Sequence, residues 1–226
     1  MGTTDLYRAN RLSFVALGRT LNPAAAARTV PATPEWTVQD NFAHMAGVAA
    51  DLLAGRLDGV ATDPWTEVQV LARRGRSLDE VLDEWDELGP QVEAALAPMD
   101  DHVDPRLVID MWTHEQDVRG LLGRPGGDAD SLPWIVDRVL PGWVARAGAA
   151  GLPPLRVRAG AAAAGPEDAP VRLDLDPFDA ARTVVGRRSV AQIRAFDWQG
   201  TADPADYVGA LVVFTPAADD VVDARP

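Results

Sequence analysis

A chain of 226 residues that is 47% hydrophobic and 24% charged has enough apolar material for a packed core and lies outside the disordered class. Its formal net charge of −13 argues against nucleic acid and against an anionic membrane surface as partners, because both select clustered cations. Cysteine is absent, which excludes disulfides, thiolate metal ligands and a protein-borne thiol nucleophile; any metal must be held by imidazole and carboxylate, and any thiol must come from outside.

All 21 basic residues are Arg, a bias that speaks of a GC-rich genome more than of function. The first residues, MGTTDLYRANRLSFVALGRTL, carry an early acid and alternate polar with apolar. No signal-peptide core and no run of membrane-spanning length is seen, so the expectation is a cytoplasmic chain.

Leu6 to Leu21 has apolar residues at helical spacing and predicts the first helix, ending before the Pro-rich connection NPAAAARTVPATPEW. Thr37 opens the next, with Asp40 where a capping box usually has Glu or Gln, and Gly55 is the expected stop. Ser77 and Glu80 form a standard capping box for a third helix. A loop from Pro98 to Pro105 leads to a fourth, with Pro105 in its first turn, and a shorter apolar helix lies within SLPWIVDRVLPGWVARAG. Four long amphipathic helices with modest connections predict an antiparallel bundle. After Gly151, LPPLRVRAG and APVRLDLD read as a strand pair around the low-complexity AAAAGPED. PFDAARTVVGRRSVAQIRAFDW reads as helix broken at Gly186, and ADPADYVGALVVF as a last helix. The expected organisation is α+β and mainly α: a helical domain over 1–150, a small α+β domain over 151–216, and a tail over 217–226 with nothing to pack, hence disordered. There are no internal repeats.

Chemistry concentrates in VIDMWTHEQDVRGLLG, residues 108–123. On a helix, Asp110 and His114 lie about 40° apart around the axis and Asp117 returns to within about 20° of Asp110, so the three share one stripe. A carboxylate and an imidazole at i and i+4 can converge on one ion, as in metal sites of helix bundles. Joined by His44, from NFAHMAG, they give two imidazoles and one carboxylate with a fourth zinc position open, the arrangement of a catalytic rather than a structural zinc. Asp117 would then accept the outward N–H of a ligand imidazole. The bland alternatives are a surface ion pair and satisfied core histidines. Glu115 points about 100° from His114 and reads as a solvated residue, an interhelical partner or a substitute ligand. His102, among carboxylates in its loop, reads as solvated. Trp36 reads as a staple at a helix entrance, Trp112 as core, and Trp198 as an anchor of the small domain.

WTVQDNFAHMAG, then DMWTHEQDVRGLLGRP, then FDAARTVVGRRSVAQIRAFDWQGTADP together resemble the mycothiol-dependent maleylpyruvate isomerase family, over about Leu6 to Phe214. The resemblance implies a DinB-like four-helix bundle followed by a small C-terminal α/β domain. It implies a divalent metal, usually zinc, held by His44, Asp110 and His114, with Asp110 standing where the family commonly has Glu. It places Asp117 beside the site. Arg187 and Arg188 match a region that can supply an arginine to an anionic substrate or to the thiol cofactor; the alternative for them is a salt bridge to the acidic bundle. The implied activity is a metal-assisted reaction of mycothiol with a small electrophile. Either the thiol adds to a cis double bond, which rotates before the thiol is eliminated, or the adduct is kept as an S-transfer product. A metal enzyme that hydrolyses an ester or amide without a thiol is the alternative from the same ligands, and a non-catalytic bundle that acts as a binding protein is the alternative of another class. The protein is expected as a monomer or small homo-oligomer.

Overall fold

The computed structural model describes residues 2–200 and 203–225, apart from the side chain of Asp101. The chain is a mixed α+β structure dominated by helix, and it divides into two compact units, Met1–Asp128 and Ala129–Arg225.

The first unit runs α1 (Thr3–Gly18), α2 (Pro23–Ala26), β1 (Thr29–Val30), β2 (Thr33–Thr37), α3 (Val38–Ala54), α4 (Asp63–Leu71), α5 (Leu78–Leu96) and α6 (Arg106–Leu122). The two capping boxes form as the sequence predicts. The Thr37 hydroxyl accepts from the Asp40 N–H while the Asp40 carboxylate accepts from the Thr37 N–H, and Ser77 and Glu80 repeat the exchange at α5. Gly55 ends α3 in the left-handed conformation, φ 66°. Pro105 stands just ahead of α6, which begins at Arg106. The Pro-rich connection is structured: it holds α2 and the antiparallel β1–β2 ribbon.

The long helices α1, α3, α5 and α6 pack α1 on α5 and α6, and α3 on α5 and α6. Between them lie Leu6, Phe14, Phe42, Val81, Leu82 and Trp85, all fully buried. Phe14 meets Phe42 at 4.3 Å between centroids and Trp85 edge-on at 5.9 Å. Burying one such ring is worth about 1.5–3 kcal/mol before entropy is counted, so this cluster fixes the helices that carry the polar residues. Two stretches are buried on every side, Asn41–Ala49 of α3 and Met111–Val118 of α6, and both candidate histidines fall inside them.

The second unit runs α7 (Ser131–Ala149), β3 (Leu155–Ala159), β4 (Ala162–Ala164), β5 (Val171–Leu175), α8 (Pro177–Val184), α9 (Val190–Arg194), β6 (Asp197–Gln199) and α10 (Val208–Leu211). The expected strand pair is β3 and β5, which lie parallel at the centre of a sheet ordered β4-β3-β5-β6. The segment AAAAGPED, read as a spacer, supplies the edge strand β4. Helix breaks at Gly186 as predicted. The last predicted helix is short: a 3-10 turn over Pro204–Tyr207, then α10; Ala202, at its expected start, lies outside the described residues.

Three expectations change. Helix α7 is as long as its neighbours rather than shorter, since it continues through Pro141. It packs on α8, β3, β4 and α10, so the division falls after Asp128 and not at 150. Its apolar face, Ile135, Val139, Leu140 and Trp143, is the partner the sheet needs. Residues 217–225 are held in place, against the expected disorder; Pro226 lies outside the described residues. Asp223 pairs with Arg182 at 3.1 Å and Arg188 at 2.7 Å, Arg225 with Asp179 at 2.8 Å, and Ser189 donates to Asp220. Charge anchors this segment where apolar patterning does not.

Candidate metal centre

In the first unit, α3 and α6 bring His44, Asp110 and His114 together, with one ligand atom from each lying within 4.8 Å of the others. His44 Nε2 stands 3.2 Å from one Asp110 oxygen, and His114 Nε2 stands 3.5 Å from the other. Around a tetrahedral ion with bonds near 2.0–2.1 Å, neighbouring ligand atoms sit about 3.3 Å apart, so these separations suit a small divalent cation. The imidazoles are almost wholly buried, whereas the Asp110 side chain is 44% exposed. The open side of the cluster therefore lies beside the carboxylate.

The outward nitrogens decide what the inward ones present. Asn41 donates through Nδ2 to the Thr37 carbonyl at 2.9 Å, which turns its Oδ1 toward His114 Nδ1 at 2.8 Å. Gln69 of α4 donates through Nε2 to Asp51 at 2.8 Å, which turns its Oε1 toward His44 Nδ1 at 2.7 Å. An amide oxygen can only accept, so Nδ1 of each imidazole carries a proton, and in the neutral ring, the form that binds a metal, Nε2 is the bare nitrogen. Both Nε2 lone pairs then face the Asp110 carboxylate. Three acceptors converge with no proton between them, and a cation satisfies all three.

Electrostatics agree. Burial pushes the His114 imidazole below its ordinary range, against the pull of Asp110, so it is the neutral ligand form that is favoured. Burial opposes ionisation of Asp110; protons offered by the facing His114 and His44 rings would outweigh it and hold the carboxyl well below the usual carboxylate range, and with those protons on Nδ1 a cation takes over that part. Two imidazole nitrogens and one carboxylate oxygen are the donor chemistry of zinc and its neighbours in the first transition row.

Asp117 is fully buried behind His114, 3.8 Å from its Nδ1. The expected role of accepting that N–H falls to Asn41, and Asp117 adds its charge from further off. Glu115 is the interhelical partner and not solvated: it accepts from Ser13 of α1 at 2.6 Å and from Arg119 at 2.8 Å. Trp36 does more than staple a helix entrance, since its ring lies 5.1 Å from His44 and stacks at 5.5 Å on His114. Trp65 of α4 stands edge-on to His44 at 6.5 Å. Trp112 is core and His102 is exposed, as read.

Arg187 and Arg188 belong to the second unit. Arg188 is buried there, bonded to Asp179 at 2.8 Å and to Asp223 at 2.7 Å; Arg187 donates to the Val185 carbonyl at 3.2 Å. Trp198 anchors that unit by donating to the Ile193 carbonyl and packing on Tyr207.

Sequence reading missed Asn41, Asp51, Trp65 and Gln69. Asn41 carries a usable signal, an amide one turn ahead of a candidate ligand on a helix already recognised. Gln69 carries none, because α4 has almost no apolar period of its own.

Comparison with protein-family models, with curated proteins and with solved structures finds no match for this chain.

Proposed function

We propose that this protein is a metal-dependent enzyme of the maleylpyruvate isomerase type. In this reading the four long helices form a DinB-like bundle, and the protein uses an external thiol, mycothiol, on a small electrophile. The observation that carries the reading is the convergence of two Nε2 lone pairs and the Asp110 carboxylate with their tautomers fixed from behind. Such an arrangement is costly without a cation and ordered for one.

His44, Asp110 and His114 would hold a divalent cation, zinc being the expected one, which would supply Lewis acidity to an external thiol. The chain does the rest of the preparation. Buried walls around the imidazoles keep water from their nitrogens, Asp110 leaves one side accessible, and Trp36 offers a flat apolar surface next to both rings. The absence of cysteine supports a thiol brought from outside. Isomerisation and S-transfer share these requirements and differ only in whether the thiol is eliminated again. Asp117 is proposed to support the ligand side of the reaction and Arg187 to meet an anionic group, whereas Arg188, its charge met by Asp179 and Asp223, ties the second unit together instead.

The test is metal content by plasma mass spectrometry on protein purified without chelator, followed by mycothiol titration of the loaded form. Near-stoichiometric zinc that His114→Ala abolishes is the expected result. A folded protein that takes up no divalent metal, even after dialysis against zinc, would end this reading. Metal without any heat of thiol binding would turn it toward hydrolysis.

A further inference from the structure

Helix α4 is short and mostly exposed; among its residues only Gln69 and Val70 are buried. It is joined to the rest of the unit by connections in which Gly59, Ala61 and Gly75 all have positive φ, and Thr62 makes no side-chain cap bond at its start. Its anchors to α3 are mainly polar. Gln69 spans His44 and Asp51, and the Asp51 carboxylate also accepts from Arg56 at 2.8 Å. Trp65 Nε1 donates to the Arg56 carbonyl at 3.0 Å. At the far end Arg73 pairs with Glu84 of α5. Helix α3 admits this approach through Gly47, where an added Cβ would stand 2.4 Å from the Gln69 Cβ.

The chain of bonds makes two claims on one proton. A neutral His44 has a single N–H. If the proton sits on Nδ1, Gln69 is satisfied and the bare Nε2 faces Asp110 at 3.2 Å. If it sits on Nε2, Asp110 gains a donor, but Nδ1 then faces the Gln69 oxygen lone pair to lone pair. Gln69 cannot turn over to help, because its oxygen would then meet the Asp51 carboxylate. A cation at Nε2 removes the conflict and leaves the proton to Gln69.

We propose that α4 is a metal-responsive element: Gln69 positions His44 for a divalent cation, and the cation in turn fastens α4 to α3. This rests on the metal-centre reading above. By reciprocity, whatever Gln69 contributes to metal affinity, bound metal returns to the docking of α4. Loss of metal loosens the helix that carries Trp65, so an empty site and a loaded one present different surfaces to a partner or substrate.

The experiment is amide hydrogen exchange on the full chain at about pH 8, where a free imidazole is neutral, with and without zinc. It is run beside zinc affinity measured by chelator competition. In the native chain, amides of α4 should exchange more slowly with zinc. Gln69→Leu should weaken zinc binding roughly 10- to 100-fold, the usual loss when a residue orienting a ligand is removed, and should abolish the zinc-dependent protection of α4. The paired variant Asp51→Asn with Gln69→Glu keeps the charge and every donor–acceptor pairing with the direction of one bond reversed. It should recover both properties, whereas Gln69→Glu alone, with the same shape but a carboxylate set against Asp51, should not; a packing effect of Gln69 would predict the same behaviour for both. Val68→Ala, on the exposed face, should change neither. If zinc does not bind the native chain, the metal reading itself falls. If zinc binds while α4 exchanges at the same rate with and without it, the coupling falls and the metal reading stands. Failure of the paired variant to regain affinity over Gln69→Leu also overturns the coupling.

Discussion

An imidazole offers two nitrogens, and the one turned away from an ion determines what the other presents. Here that decision is made by two amides. Asn41→Leu should therefore lower divalent-metal affinity about 10- to 100-fold without touching a ligand. Asp110→Asn should cost more, because it removes the only anion among the three ligand atoms. Competition against a chelator of known affinity measures both; two variants that bind zinc as tightly as the parent chain would refute the neutral-imidazole account. His44, Asp110 and His114 were legible because helical periodicity puts an acid and a histidine on one stripe, and because the flanking words resemble a family. Their supports were not. An amide looks alike whether it caps, solvates or orients, and only the donor it finds in three dimensions tells which.

Elements declare themselves when their own residues hold the signal. Helices α3 and α5 have complete capping boxes, and their starts were read to the residue. Helix α4 has no such signature and only Gln69 and Val70 to bury, so its reason for being helical lies in α3, on which it packs. The β1–β2 ribbon was hidden by Pro31 and Pro34, which read as punctuation. Helix α7 was expected to be the shorter one; in the structure Val136, Leu140 and Trp143 stay buried on either side of Pro141, and the helix tolerates one lost backbone bond. Gly47 is where this scale yields a prediction. Its hydrogen lets α4 lie close, and Gly47→Ala would force the Gln69 and Arg73 side chains away. The expected cost is about 1–3 kcal/mol in thermal or denaturant unfolding, together with weaker zinc binding. An alanine variant with unchanged unfolding and affinity would show that the contact has room to relax.

At the scale of the whole molecule, charge is unevenly shared. Residues 1–128 hold 21 of the 34 acidic side chains and 11 of the 21 arginines, so most of the net −13 lies in the unit with the candidate metal centre. A field of that sign favours arrival of cations over anions at low salt. Stability also has a pH limit set by one phenol. Tyr7 is fully buried in α1, and burial pushes it up to about 12 from an ordinary value near 10. Its contribution is intact below about pH 10. Above that the unfolded chain ionises first, and stability is lost as pH rises from about 10 through 12, by roughly 2–3 kcal/mol in all. Denaturant midpoints across that range should fall for the native chain and fall less for Tyr7→Phe; parallel curves would mean that Tyr7 is not the group responsible.

The packing of Trp36 against both imidazoles has one more consequence. An indole within stacking distance of two candidate ligands is a chromophore whose surroundings change whenever the space beside it is filled. Filling of the site is thus coupled to light emission from the protein itself, and a paramagnetic ion in zinc's place would darken that ring before any other in the chain. The wall of the site is also its own gauge.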